Sequence, residues 1–260
     1  MKALIRICIL LLLATVNGYG QKVSMQKIEK ELVTAYKKIT DERDSEERNY
    51  DSLTKYNYDF AQQLSKYISE VSPSLNYEFD SLKRAGVHLV TSDDDLFRIY
   101  SWNTHMGGTM EDFAAAYQYR FKNKVYAMQV VDTSLPEGER YIPFYSQLFT
   151  LKAGQATYYL AVYNGIYSTK DAEQGVRAFS INNGKLVDAN IIRTKDMRNS
   201  ISFYFDFFSV VDRPERPLKL IKYDGKTKTL YIPIVQEDGQ VTGKFITYRF
   251  NGKYFERVKR

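Results

Sequence analysis

The chain has 260 residues with a formal net charge of +6, and 44% of its residues are hydrophobic. That length is enough to bury a sizeable core, in one large domain or in one domain with an appendage. The charges are mixed along the chain, which argues against nucleic acid as a partner, and the single cysteine, Cys8, excludes a disulfide framework.

The first 20 residues have the pattern of a secretory signal peptide. Lys2 and Arg6 give a basic start, an apolar run covers residues 7–16, and Gly18-Tyr19-Gly20 offers the small-x-small pattern of a cleavage site. The apolar run is shorter than the roughly 20 residues that cross a bilayer. We therefore expect cleavage after Gly20 and no membrane span afterwards. Cleavage removes Cys8 and places the protein in the periplasm, in the cell envelope or outside the cell.

Two amphipathic helices are predicted over residues 24–71. Apolar side chains recur at helical spacing in two stripes: Ile28, Leu32, Tyr36 and Ile39, then Leu53, Phe60, Leu64, Tyr67 and Val71. The charged stretch 40–49 fits either a loop or a continuation of one helix. Ser72-Pro73 ends the second helix, because the residue before a proline is pushed out of the α region. With a turn or short helix near 76–83, residues 21–84 form the predicted helical region.

From Val87 onwards the hydrophobic period changes to two, which predicts β-strands. Runs rich in Tyr, Phe, Ile and Val cover residues 87–91, 96–102, 125–131, 157–163, 177–181, 201–211, 218–223 and 230–235, and two more strands close the chain. These runs are too close together for βαβ units. The fold class is therefore mainly β (α+β), with an antiparallel meander over residues 85–260 that forms a sandwich, a barrel or a partial propeller-like array. The helices either pack over a sheet or stand apart.

Asn251-Gly252 predicts the last hairpin, because this dipeptide favours a two-residue type I′ turn. The turn would pair Phe250 with Lys253 and Tyr248 with Phe255. Ile246, Tyr248, Phe250 and Phe255 then share one apolar face, as expected for a sheet that covers a core on one side. Asn183-Gly184 and Asp224-Gly225 indicate two further hairpins.

The stretch RIYSWNTHMGGTMEDF, residues 98–113, contains the only Trp, one of two His, a Gly pair and two acids. As an active site it would use His105 as a base and Glu111 or Asp112 to orient or protonate. As structure it is a strand to Trp102, a turn over 103–108, and a new strand or short helix from Met110. Gly-Gly is a common turn signal, and no second catalytic partner can be identified, so the structural interpretation is preferred.

No metal site or cofactor is predicted. Asp93, Asp94 and Asp95 with His105 could suggest calcium, but the spacing lacks the alternation of a calcium loop, and His is a poor ligand for that ion. Zinc would require more than the two histidines, His88 and His105. A hairpin turn before Leu96 accounts for the three acids.

Two further features could bind a ligand. Arg213 and Arg216 alternate with Pro214 and Pro217, so a stiff loop could direct their guanidinium groups at a carboxylate or phosphate, or could simply connect two strands. The Tyr-rich stretch 157–167 could stack on sugar rings, although Tyr is also a common half-buried residue of sheets.

The segments RIYSWNTHMGGTM, YYLAVYNGIYSTKDA, FDFFSVVDRPERP and FNGKYFERV resemble an exported family of Bacteroidota-type bacteria that has no assigned activity. The resemblance runs from the helices to the C-terminus. It implies export, and it supplies no functional residues. An Asp tends to stand in that family where this chain has Asn103.

We therefore expect an exported, non-catalytic β-rich protein of the envelope or periplasm. It would be a binding or structural module for a protein or glycan partner of unknown identity, and its expected binding residues are Trp102, His105, Arg213 and Arg216. The alternative is a hydrolase acting on glycans or other envelope substrates through His105, Glu111 and Asp112. A glycosidase would need two carboxyls about 5 to 10 Å apart across a cleft.

Overall fold

The computed structural model describes residues 24–130 and 141–259, and the predicted signal peptide lies outside them. Three helices come first: α1 (Met25–Arg43), α2 (Tyr50–Glu70) and α3 (Asp80–Arg84), with a 3-10 turn at Ser72–Leu75. The strands are β1 (His88–Thr91), β2 (Phe97–Asn103), β3 (Phe113–Phe121), β4 (Lys124–Gln129), β5 (Phe144–Ala153), β6 (Ala156–Ile166), β7 (Asp171–Asn182), β8 (Lys185–Asp188), β9 (Ile192–Arg193), β10 (Met197–Arg198), β11 (Ser200–Asp206), β12 (Lys222–Asp224), β13 (Thr229–Val235), β14 (Val241–Phe250) and β15 (Phe255–Arg257). A second 3-10 turn, Phe207–Val210, follows β11.

Helices α1 and α2 each begin where a side chain satisfies a free backbone N–H group. The Ser24 hydroxyl accepts from the Lys27 N–H at the start of α1, and Asn49 Oδ1 accepts from the Ser52 N–H at the start of α2. The second helix ends at Glu70, just before Ser72-Pro73, as predicted. Helix α1 continues to Arg43, so only residues 44–49 of the charged stretch form a loop.

Three sheets, antiparallel except for one parallel pairing, follow the helices, so the predicted fold class is confirmed. The first has the order β1-β2-β3-β4, and the second has the order β11-β7-β6-β5, with β8 also on β7. The third has the order β10-β9-β15-β14-β13-β12, in which β15 and β9 are parallel. The arrangement includes a curled half-barrel.

The first sheet is buried on both faces, because it lies between the helices and the second sheet. Alternate residues of a strand point to opposite faces. In β2, Tyr100 and Trp102 join a core with the helices, whereas Phe97 and Ile99 join a second core with β5, β6 and β7. Full burial of an aromatic or aliphatic side chain of this size contributes about 1.5–3 kcal/mol. The helices therefore pack over a sheet face and do not stand apart.

A buried polar network connects the helices to the same sheet. Gln118 of β3 is fully buried, donates to the Ile68 carbonyl and the Ser74 hydroxyl, and accepts from the Tyr100 hydroxyl. Arg98 is 3% exposed and donates to the Ser74 carbonyl at 2.9 Å. Polar atoms near the C-terminal end of α2 and in the 3-10 turn after it are thus satisfied by the sheet, which fixes how the helix sits on it.

The second sheet is also shared by two cores. In β6, Tyr159 and Ala161 face the first sheet, and Leu160 and Val162 face the third. The third sheet covers the latter core with an apolar set that contains Leu230, Ile232, Tyr248, Phe250 and Phe255. The layers therefore follow the order helices, first sheet, second sheet and third sheet.

The register predicted for the last hairpin is wrong. Phe250 pairs with Phe255, not with Lys253, and a four-residue loop separates them. Asn251 Oδ1 accepts from the N–H groups of Lys253 and Tyr254, so the side chain closes a wider loop in place of the tight turn. The wider loop brings the Phe250 and Phe255 rings to 5.3 Å within the core. The apolar face was predicted correctly, because Tyr248, Phe250 and Phe255 are buried and Ile246 packs against them.

Among the other turns and strands, one turn agrees with the prediction and several strands differ from it. Asn183 and Gly184 both have positive φ and join Asn182 to Lys185 in a two-residue turn, as predicted. Residues 201–211 and 218–223 contain much shorter strands than expected, β11 and β12. Strand β5 was not predicted at all.

Candidate functional site

The connection between β2 and β3, residues 104–112, is called here the His105 loop. Its neck is closed by Asn103, whose Oδ1 accepts from the His105 N–H at 2.7 Å and whose Nδ2 donates to the Glu111 carboxylate. The Thr104 N–H donates to the Asp112 carbonyl at 2.8 Å. A Cβ at Gly107 would collide with the Met110 carbonyl, so the loop can close only with glycine there. Gly107 thus has a structural explanation, whereas a Cβ at Gly108 would meet nothing within 4 Å.

His105 is held between two arginines from the corner that joins α1 and α2. Arg43 Nη1 lies 3.4 Å from His105 Nε2, and Arg48 donates to the His105 carbonyl oxygen. The backbone of His105 has φ 56°, a left-handed conformation that is uncommon for a residue with a side chain. Burial, reinforced by the two positive charges, lowers the pKa of His105 to about 4. The imidazole is therefore neutral at pH 7.

The two acids of the loop are used in its own hydrogen bonds. Asp112 Oδ2 accepts from the Thr104 hydroxyl at 2.7 Å, and Glu111 accepts from Asn103. Burial raises the pKa of Asp112 above its usual value, although hydrogen bonds from Thr104 and Phe113 oppose the shift. The Glu111 N–H donates to the Ile166 carbonyl at 3.0 Å, which attaches the loop to the end of β6.

Trp102 lies in the core and not at the surface. Its side chain is 1% exposed and meets Phe60 edge to face at 5.1 Å. Its Nε1 donates to Asn57 Oδ1 at 3.2 Å, and Asn57 also donates to the Thr104 carbonyl at 2.8 Å. Trp102 therefore presents no exposed ring face to a ligand; it connects α2 to the base of the His105 loop.

Sequence reasoning missed the residues of α1, of α2 and of the corner between them that contact this loop. Arg43, Arg48 and Asn57 carry most of those contacts. The only signal was the charged stretch 40–49, whose position beside His105 depends on how the helices pack over the first sheet.

A separate cleft lies at the end of the second sheet, and we call it the Arg216 cleft. Its volume is about 320 Å³. The end of β6, the start of β7, the 3-10 turn after β11 and the loop 213–218 enclose it. Most of its lining is apolar and comes from Phe144, Ile166, Ala172, Phe205, Phe207, Pro217 and Leu218, with Arg216, Asn164, Glu173, Ser168 and Thr169 as polar residues.

The Arg216 guanidinium group is held in place at this cleft by its own loop. Nη1 donates to the carbonyls of Arg213 and Glu215, and Nη2 donates to the carbonyl of Val211 at 2.8 Å. The group also lies 5.6 Å from the centre of the Phe207 ring. Within the described residues, no carboxylate pairs with Arg216. Its charge is therefore fixed in position and left uncompensated.

Arg213 has a different role from Arg216. Its Nη1 lies 3.8 Å from the Glu215 carboxylate, and it is not among the residues that line the cleft. The four predicted binding residues therefore do not come together: Arg216 lines the cleft, Arg213 pairs with an acid, Trp102 is in the core and His105 is in its loop. Ile166 connects the two places, because it lines the cleft and accepts from Glu111.

The Tyr-rich stretch faces the cores. Tyr159 is 1% exposed, and its ring lies 5.4 Å from Phe97. The centre of the Tyr158 ring lies 6.3 Å from that of Phe250, and the centre of the Tyr163 ring lies 6.5 Å from that of Tyr145. Tyr159 is therefore closed to a sugar ring, and Tyr158 and Tyr163 are partly buried against other aromatic rings.

The three consecutive acids form the turn between β1 and β2, as expected. Asp94 Oδ1 accepts from the Ser92 hydroxyl and the Leu96 N–H, and Asp93 accepts from the Thr150 N–H on β5. Over residues 24–130 and 141–259, no group of three His, Cys, Asp or Glu side chains is arranged to hold a metal ion.

No protein-family model, curated protein or solved structure matches this chain. The resemblance to the exported bacterial family stays a prediction. None of the helices in the described part of the chain is long and apolar enough to cross a membrane.

Proposed function

We propose that this protein is an exported, non-catalytic binding module of the periplasm or cell envelope. We further propose that the Arg216 cleft binds a small amphipathic molecule with an apolar body and an anionic group. The observation that carries the proposal is the Arg216 guanidinium group, fixed by three backbone carbonyls at an apolar cleft and left without a carboxylate partner.

The lining supports a ligand of this chemistry. Side chains such as Phe205, Phe207 and Leu218 favour an apolar group, because its transfer from water into the cleft removes apolar surface from solvent. The guanidinium group offers donors that match a carboxylate or phosphate. The carboxylate of Glu173 is already occupied, because it accepts from the Tyr167 hydroxyl at 2.6 Å.

The size of the cleft supports a small molecule over a macromolecule. A volume of about 320 Å³ lies at the lower end of the range typical of small-molecule sites, roughly 300–1,000 Å³. Because the loop already holds Arg216 in place, binding does not need to order that side chain, which reduces the entropy lost on association.

The test uses decanoate as the probe and decanol as its uncharged counterpart, with binding measured by isothermal titration calorimetry. We expect decanoate to bind more tightly than decanol. Arg216→Ala should weaken decanoate binding about tenfold or more, because a hydrogen bond to a charged group contributes roughly 1.5–3 kcal/mol, and should leave decanol binding nearly unchanged.

Arg213→Ala is the matched control. It removes the same charge from the same loop but from a residue that does not line the cleft, so it should leave the binding of both probes unchanged. Equal affinity for decanoate and decanol, or equal losses in the two variants, would contradict the proposal.

A hydrolase is the second candidate, because burial raises the pKa of Asp112, as a general acid requires. The hydrogen bonds that hold Glu111 and Asp112 in the neck of the loop favour a structural role instead. Turnover of chromogenic glycosides by the purified protein, abolished by both Glu111→Gln and Asp112→Asn, would establish the hydrolase in place of the binding module.

A further inference from the structure

Among the strands that the structure describes, β11 lies at one edge of the second sheet and has no neighbour on its outer side. It pairs with β7 on one side, where the Ala178 N–H donates to the Asn199 carbonyl. Backbone groups alternate between the two sides of an antiparallel strand. Ser200, Ser202 and Tyr204 therefore point their N–H and C=O groups away from β7. Within residues 24–130 and 141–259 no backbone group bonds to them, whereas the Asp206 N–H, at the end of the strand, donates to the Gly239 carbonyl.

This edge is open to solvent. Tyr204 is 64% exposed. An open groove of about 500 Å³ flanks each end of the strand; one is lined by residues from Asn190 to Ser202 and the other by Tyr204, Asp206 and the β13–β14 hairpin. Natural proteins usually protect such edges, because an unpaired strand is a template for another strand.

The two ends of β11 carry opposite charge. Beside its start, the residues that line the first groove include one base, Arg198, and no acid. Beside its end, the second groove contains one base, Lys170, and four acids: Asp171, Asp206, Glu237 and Asp238. Lys170 lies 3.5 Å from Asp206, so the other acids remain uncompensated by it.

We propose that two copies of this chain form a dimer by antiparallel pairing of their β11 edges about a twofold axis at Ser202. Ser202 then faces Ser202 of the partner subunit, and Ser200 faces Tyr204 of the partner subunit. Three pairs of residues exchange about six backbone hydrogen bonds. The contact of Asp206 with Gly239 limits the ladder to residues 200–204.

Charge selects this partner and this orientation. A twofold axis brings the basic end of one β11 against the acidic end of the other, at both ends of the ladder. Parallel pairing would set like charges together, which destabilises a strand pair. The interface also closes on itself, so the assembly stops at two copies. The inference does not depend on the ligand of the Arg216 cleft.

The test is sedimentation velocity of the purified protein over a concentration series. Ser202→Pro removes the central N–H, which faces away from β7, so the monomer keeps its own ladder. Ser202→Ala is the matched control, because it keeps that N–H. We expect a dimer for the wild type and for Ser202→Ala, and a dissociation constant about 100-fold higher for Ser202→Pro, which loses two central hydrogen bonds and gains a steric clash.

A second variant, Arg198→Glu, tests the dimer independently in case Ser202→Pro does not fold. Arg198 is exposed, so Arg198→Glu should leave the monomer folded while weakening the dimer, most clearly at low salt, since about 1 M salt screens charges beyond roughly 3 Å. Circular dichroism reports on folding in every case. A monomeric wild type at 100 µM in low salt, an open-ended polymer, or unchanged dimerisation in Ser202→Pro and Arg198→Glu would overturn the proposal.

Discussion

His105 should remain uncharged well below neutral pH in the folded protein. Burial, assisted by Arg43 and Arg48, lowers its pKa to about 4. Unfolding exposes the ring and returns the pKa to about 6.5. The folded chain therefore binds fewer protons than the unfolded chain between these two values. The stability that neutral His105 contributes is complete above pH 6.5 and is lost as the pH falls towards 4.

The size of this effect has an upper limit. Each pKa unit corresponds to about 1.4 kcal/mol, so a fall from 6.5 to about 4 limits the loss to about 3 kcal/mol. Because His105 is only half-buried, solvent screens part of the interaction, and we expect a loss on the order of 1 kcal/mol.

Urea denaturation at pH 7 and at about pH 4.5 measures the loss, with His105→Asn as the comparison. Asn tolerates the left-handed backbone at this position but does not titrate. The free energy of unfolding should fall about 1 kcal/mol further in the wild type than in the variant over this interval. The difference isolates His105 from the carboxyls that titrate over the same range.

A titration followed by nuclear magnetic resonance of the two imidazoles gives the pKa itself. The His105→Asn variant assigns the signals, since His88, stacked on Phe144 at 4.6 Å, is also partly buried and has a lowered pKa. Arg43→Ala should move the His105 pKa up towards 6.5, by less than the effect of burial. An imidazole at position 105 that titrates near 6.5 in the wild type, or identical pH dependence in the wild type and His105→Asn, would refute this reasoning.

Three further results are expected. In urea denaturation, Gly175→Ala should lower the free energy of unfolding by about 1–3 kcal/mol, because its Cβ would overlap the Tyr163 ring. Gly243→Ala is the control. Its Cβ meets nothing within 4 Å, so the loss of stability should be far smaller. Asn251→Ala should lower the free energy of unfolding by about 1 kcal/mol, because the N–H groups of Lys253 and Tyr254 lose their acceptor. Urea denaturation measures this loss too, and an unchanged urea midpoint would contradict the described loop. Intact mass of protein secreted by a bacterial host should show cleavage after Gly20, and retention of Cys8 would disprove the signal peptide.

The positions of the helices and the apolar face of β14 could be predicted, because both depend on the local spacing of apolar residues. Apolar spacing located the helices, and the residue before Pro73 marked the end of α2. The apolar face of β14 followed from alternation alone. The register of its hairpin did not, because the Asn251 side chain, together with contact between Phe250 and Phe255, decided the loop length.

Strand β5 was not predicted, for a different reason. Strand β5 reads FYSQLFTLKA, in which polar and apolar residues share both faces. A bulge between Tyr145 and Gln147 shifts its register, so no clean period of two survives. Its place in the second sheet depends on β6, which lies beside it.

The sequence predicted parts of the candidate site only where a single loop contained the informative residues. The prolines around Arg216 indicated a stiff loop, but nothing in that loop distinguished Arg216 from Arg213, because the cleft is built by β6, β7 and the 3-10 turn after β11. Likewise, His105 was noticed for its chemistry, while its low pKa arises first from burial and then from Arg43 and Arg48 on a distant part of the chain.

Because β2 and β6 each contribute to two cores, no layer can separate from its neighbour without exposing apolar side chains on both of the parted layers. Loss of the helices would uncover Tyr100 and Trp102, and loss of the third sheet would uncover Leu160 and Val162. Partial opening therefore exposes an entire core to water, and the chain should melt in one cooperative step. Such all-or-none behaviour gives proteases few intermediate forms to attack.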